Sequence, residues 1–262
     1  MGKIIAVTNQ KGGVGKTTTT VNLSAALGLL GKRVLIIDID AQGNATQGLG
    51  IDKEECERKQ ISTHDMMLNY TKDSKKYLIE TNFENLFCVP ASQSLVGFDI
   101  EYNGRLRKEM VLKHCLEKFR EDFDYIFIDC PPSLSVVTLN GMAAADSVLI
   151  PVQSEFYALE GMTQLLNTIH ICKKQLNSKL YIEGILLTMF IKNTNLCESV
   201  YDEVNKYFSE QLFDVVIRRS ISIAEAPSFG LPIMYYNKNS NGTEDYIKLG
   251  KEVIKNGKKR TR

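Results

Sequence analysis

Gln10-Lys11-Gly12-Gly13-Val14-Gly15-Lys16-Thr17-Thr18 decides how this chain is read. The run before it, Ile4-Ile5-Ala6-Val7, is apolar without alternation, as a strand buried on both faces requires. After it, Val21, Leu23, Ala26, Leu27 and Leu30 recur at helical spacing. Strand, glycine-rich turn and helix start, in that order, make a phosphate-binding loop. Gly12, Gly13 and Gly15 let backbone N–H groups converge on phosphate oxygens, and the helix N-terminus adds its positive dipole end. Lys16 is placed to neutralise the β- and γ-phosphates of a nucleotide, and the Thr17 hydroxyl to hold Mg2+. The general pattern is G-x-x-x-x-G-K-[ST]. Gln10 occupies its first position, and a second lysine, Lys11, enters the loop.

Two further apolar runs end in acids. Val34-Leu35-Ile36-Ile37 leads to Asp38, and Tyr125-Ile126-Phe127-Ile128 leads to Asp129. Acids at the ends of parallel strands project into the ligand crevice of an open α/β sheet. Asp129 is positioned to hold Mg2+ through a water, completing the site begun by Thr17. Asp38 and Asp40, two residues apart, point the same way if the strand continues, so both would face the metal and the γ-phosphate.

The string Lys11-Gly12-Gly13-Val14-Gly15-Lys16-Thr17-Thr18 resembles the deviant Walker A motif of the ParA/MinD superfamily, and within it the small ParA proteins of the Soj type. The resemblance runs from residue 1 to about residue 255. It implies ATP with Mg2+, and a homodimer in which two subunits face each other across two nucleotides while Lys11 reaches the partner's ATP. By the same resemblance Val14 and Thr18 complete the ATP cradle, and residues 38–44 and 130–133 are the two switch segments. Asp40 positions the attacking water and Asp38 supports the metal site. Residues 153–161 lie near the dimer face, and Ala224-Glu225-Ala226-Pro227-Ser228-Phe229-Gly230 is nearly a ParA fingerprint. Arg218 and Ser220 precede that fingerprint and would line the adenine. The family's output is partition: the ATP dimer binds double-stranded DNA without sequence preference, and a ParB-type centromere-binding protein stimulates slow hydrolysis. The chain departs from its relatives at Ala41, where proline is common, at Asn193 and Ser222, where arginine is common, and at Arg218, where proline is common.

Composition agrees with a soluble α/β protein: 44% hydrophobic and 24% charged residues over 262 positions. The repeated strand–helix pattern implies a doubly wound, mainly parallel sheet, a P-loop three-layer sandwich over residues 1–256, followed by a basic tail at 257–262. The 32 basic and 31 acidic residues nearly cancel, so any polyanion-binding face is local. Lys192, Arg218, Arg219, Lys248, Lys251 and Lys255 are its candidates. Six cysteines without a C-x-x-C pair point to reduced thiols in a cytoplasmic protein rather than to zinc or disulfides, and the resemblance further implies association with the nucleoid. No Ser/His/Asp or Cys/His nucleophile set is visible, which leaves water as the phosphoryl acceptor.

The rest of the chain reads as follows. Residues 52–84 form a polar surface excursion with one short helix near 63–70, and residues 105–122 one amphipathic helix. Leu159, Met162, Leu165, Leu166, Ile169 and Cys172 form the packing stripe of another helix. Residues 213–217 are a strand, and the last helix spans about 242–255. A MinD-like membrane-positioning ATPase is the alternative output, and a delivery ATPase a further one. The terminal tail is too poor in apolar residues to bury in lipid, and metal-delivery cysteine sets are missing. No membrane association is therefore expected.

Overall fold

The computed structural model describes residues 1–70, 73–104, 107–155 and 158–260. Strands β1 (Lys3–Val7), β2 (Val34–Asp38), β3 (Ile79–Glu80), β4 (Leu86–Val89), β5 (Tyr125–Asp129), β6 (Ser147–Gln153) and β7 (Tyr181–Thr188) pair in the order β3-β4-β2-β5-β1-β6-β7. All neighbours are parallel except β3 and β4. The chain runs outward from β1 in both directions, so the crevice above its C-terminal end is the point where the strand order reverses.

Unbroken apolar strands arise because both faces of the sheet are covered. Ile4 and Ala6 join a core layer that also holds Leu116, Met142 and Leu165, while Ile5 and Val7 face the opposite layer with Leu23, Leu27 and Leu249. Helix Lys16–Leu29 and the C-terminal helix Asn241–Arg260 pack against each other in that second layer.

Four expectations change. Residues 52–84 carry two helices, Lys53–Arg58 and Thr63–Leu68, then a 3-10 helix, Ser74–Tyr77, and β3. Nor is that stretch only surface, since Met66, Met67 and Tyr77 are fully buried and hidden within polar flanks. The amphipathic helix at 105–122 is three short pieces, Lys108–Met110, Val111–Leu116 and Glu117–Phe119; Arg105 and Leu106 lie outside the described residues. The strand at 213–217 is not regular. Phe213 and Ile217 donate to Ile185 and Leu187 of β7, but the N–H groups of Asp214 and Val215 are taken by the Glu252 carboxylate. The last helix does not stop near 255 but runs on to Arg260.

The stripe on helix Ala158–Gln175 is core packing at Met162, Leu165, Ile169 and Cys172. The side chain of Leu159 lies outside the described residues, as do those of Phe156 to Gly161 in the segment expected near a dimer face and of Lys258 to Arg262 in the basic tail. All six cysteines are buried and free.

Candidate functional site

The glycine loop is held from three sides. Gly15 turns into helix Lys16–Leu29 at φ 88°, a left-handed conformation that a side chain resists. Thr188 at the end of β7 donates its hydroxyl to the Val14 carbonyl at 2.8 Å. The Lys11 N–H donates to Asn9 Oδ1 at 3.0 Å, and Asn9 Nδ2 donates to the Pro151 carbonyl at 2.7 Å. Lys16 curls back over the loop, its Nζ 3.1 Å from the Lys11 carbonyl. A Cβ added at Gly12 or Gly13 would meet nothing within 4 Å. That open space belongs to a cavity of about 650 Å3 lined by the loop, Asp40, Pro131, Pro132 and Met189. It is a cradle with room for a phosphate chain.

Beneath the cradle, Asp38 and Asp129 stand side by side as register partners of β2 and β5, both fully buried. Asp129 accepts from Thr17 Oγ1 at 2.7 Å and from Thr20 Oγ1 at 2.9 Å. Burial raises the Asp129 carboxyl well above its ordinary range, and the neighbouring Asp38 adds to the rise. Burial likewise raises Asp38, against the pull of its bonds from Thr46. Burial lowers the Lys16 ammonium, with Asp129 opposing the shift. Two adjacent buried carboxyls that resist ionisation call for a cation. The donors at hand are hydroxyl and carboxylate oxygens, the hard set that Mg2+ takes. Among the described residues no group of three or more His, Cys, Asp or Glu could hold a metal alone. That fits an ion held chiefly by substrate phosphates and water, with Thr17 and Asp129 on the protein side.

Asp38 and Asp40 do not act as a parallel pair, because β2 ends at Asp38. Asp38 turns into the protein. Its Oδ2 accepts from the Thr46 N–H at 2.9 Å and the Thr46 hydroxyl at 2.7 Å, and its Oδ1 from the Asp40 N–H at 3.1 Å. It anchors the segment from Asp40 to Thr46 and does not line the cavity, whereas Asp40 does.

Lys11 leaves its own loop. Its Nζ lies 3.1 Å from Glu155 Oε2, with 39% and 50% of the two side chains exposed. Sequence reasoning had not marked Glu155 as its partner, nor the wall formed by Leu95, Val96 and Asp99. The wall comes from a segment without a motif of its own, and although Glu155 falls within the residues 153–161 expected near the dimer face, nothing in that string pairs it with Lys11. Thr20, one turn beyond Lys16 in the same helix, and Thr46, in the short helix that follows the Asp40 turn, also belong to the site without a motif to mark them.

Arg218 and Ser220 are not brought to the cavity. Arg218 grips the buried Asp245 at 2.6 Å and reaches Glu244 at 2.7 Å. Its guanidinium is committed to these two carboxylates. Lys248 is paired with Glu244 at 2.7 Å. Lys192, Arg219, Lys251 and Lys255 are exposed.

A phosphate loop, a buried strand-end acid joined to its threonine, and an open cavity above them define a P-loop nucleoside triphosphatase. A family model described as AAA domain matches residues 2–182. The chain is 51% identical over 257 residues to the sporulation initiation inhibitor protein Soj of Bacillus subtilis, covering 98% of this chain and 100% of that protein. It is 45% identical to the chromosome partitioning protein ParA of Myxococcus xanthus, covering 97% and 89% respectively. A crystal structure of cobyrinic acid a,c-diamide synthase from Mycobacterium smegmatis, with bound ADP and magnesium, matches at TM-score 0.84 and 33% identity over 98% of this chain and 96% of that one. The chain belongs to the Soj/ParA family of chromosome-partitioning ATPases.

Proposed function

We propose that this chain is an ATP-dependent dimerising switch that binds DNA without sequence preference and hydrolyses ATP slowly to drive partitioning with a ParB-type partner. The observation that carries this reading is the division of labour between two lysines. Lys16 stays over its own cradle, while Lys11 rests on Glu155 at the surface. An exposed pair of this kind contributes about 0–1 kcal/mol, so Lys11 leaves it at little cost to reach a second subunit's nucleotide. Bound Mg2+ would neutralise the developing phosphate charge, held by Thr17 and Asp129. Asp40 orients the attacking water, and no other acceptor is provided for. Because positioning and a borrowed lysine do the work, turnover is slow until two subunits meet.

Arg219, Lys192, Lys251 and Lys255 supply the DNA contacts on this reading, with Arg218 and Lys248 neutralised. A membrane output is disfavoured by the terminal helix, whose apolar residues Tyr246, Leu249 and Val253 are buried against the body. Among the described residues no helix is long and apolar enough to cross a membrane. On this reading the protein is cytoplasmic and nucleoid-associated. The test is sizing in ADP and in ATP, each with duplex DNA or with anionic vesicles. The reading expects a dimer only in ATP, moving with DNA. A monomer in both nucleotides, or an ATP form that moves with vesicles and ignores DNA, would overturn it.

A further inference from the structure

We propose that Lys53 is a positioning residue for hydrolysis, clamping the turn that carries Asp40; this rests on the reading of Asp40 as the residue that orients water. The turn spans residues 40–43 and closes when the Gly43 N–H donates to the Asp40 carbonyl at 2.8 Å. The Gln42 N–H donates to Asp40 Oδ1 at 3.0 Å, which leaves Oδ2 as the oxygen for a water. The central carbonyls, of Ala41 and Gln42, cannot be satisfied inside so tight a turn. Both are met by one ammonium: Lys53 Nζ lies 2.9 Å from the Ala41 oxygen and 3.3 Å from the Gln42 oxygen. A charged donor makes these the stronger class of hydrogen bond, and it comes from a separate element, the first residue of helix Lys53–Arg58.

Two more features fit this use of the lysine. Lys53 stands at the N-terminal end of its helix, where the dipole disfavours a cation, and Asp52, Glu54 and Glu55 beside it offset that cost, which keeps the ammonium charged at the turn. The lysine stem also occupies the space that Gly43 leaves free. Gly43 sits at φ 69°, and a Cβ on it would come within 2.6 Å of Lys53 Cδ. Lys53 does not line the nucleotide cavity, so its effect on chemistry passes through the turn.

The test measures ATP turnover and nucleotide-driven dimerisation in Lys53→Met, which keeps the stem and removes the donors. Loosening a positioned group by a fraction of an ångström lowers kcat, here by about tenfold, while KM stays within about twofold. ATP-driven dimerisation and the thermal midpoint should hold, because Lys53 is only half-buried and water can replace its bonds. Lys53→Arg, with two N–H groups for two carbonyls, should recover most of the rate. The double variant Asp40→Ala/Lys53→Met should be no slower than Asp40→Ala alone, since both act on one group. Wild-type kcat in Lys53→Met, or an additional loss in the double variant, would overturn the clamp alone. Wild-type turnover in Asp40→Ala would remove the reading beneath it as well.

Discussion

Lys11 and Lys16 share one loop and are expected to fail differently. Lys16→Ala removes the charge over the phosphate cradle, so nucleotide affinity should drop by an order of magnitude or more, seen by calorimetric titration with ATP. Lys11→Ala leaves the cradle intact and should bind ATP normally, yet neither dimerise nor turn over in sizing and phosphate-release assays. Asp40→Ala keeps Thr17 and Asp129 in place. It should bind ATP and dimerise while phosphate release falls about a hundredfold or more. A pH effect follows from the adjacent Asp38 and Asp129, whose carboxyls burial raises above the ordinary 3.8, to about 6 and about 8 respectively. The native state then binds more protons than the unfolded chain between those values, so stability falls as pH rises through them. Thermal melting of the nucleotide-free protein should decline from pH 4 to about pH 8, and Mg2+ with ATP should flatten the decline. The loop and Asp129 were legible in the sequence because each is a short contiguous string. Glu155 and Lys53 were not, since Glu155 lies 144 positions from Lys11 and the Lys53 contact is to backbone oxygens, which carry no sequence signal.

Elements were legible where burial is two-sided. β1, β2 and β5 lie in the middle of the sheet and need apolar residues on both faces between their ends, which leaves an unbroken run of four in the sequence. The irregular stretch at 213–217 was misread for the converse reason. Its apolar spacing suits a strand, but two of its N–H groups go to Glu252 on the terminal helix rather than to a ladder. The helix at 105–122 has amphipathic spacing, yet it breaks where Asn140 takes the Leu112 N–H and the Lys108 carbonyl into its amide. The terminal helix gives an element-scale prediction. Leu249 is fully buried, and Leu249→Ala should cost about 2–5 kcal/mol in denaturant unfolding. Arg218→Ala would leave the buried Asp245 without its guanidinium, at a cost of about 2 kcal/mol once partial exposure is discounted. Its DNA affinity, measured on the folded fraction, should change little. A selective loss of DNA binding with stability intact would restore Arg218 to the DNA face.

At the scale of the whole molecule, the sequence has almost no net charge, 32 basic against 31 acidic residues, so DNA affinity has to come from a local patch used twice. Pairing two subunits doubles the phosphates touched at once. With about three contacts from each, log K should fall against log salt with a slope of roughly −5, and a single subunit would bind too weakly to matter near physiological salt. That arithmetic is what lets ATP act as the gate. Arg219, exposed and without an ion pair among the described residues, is the side chain to remove. Arg219→Ala removes one contact from each subunit, so it should weaken all duplexes alike and flatten the slope by about two units, with ATP-driven dimerisation unchanged. The most direct measurement is binding to two unrelated duplexes across a salt series, in ADP and in ATP. The account predicts binding in ATP only, equal for both sequences, with the steep slope of a paired patch. Equal affinity in both nucleotides, or binding confined to one sequence, would contradict it.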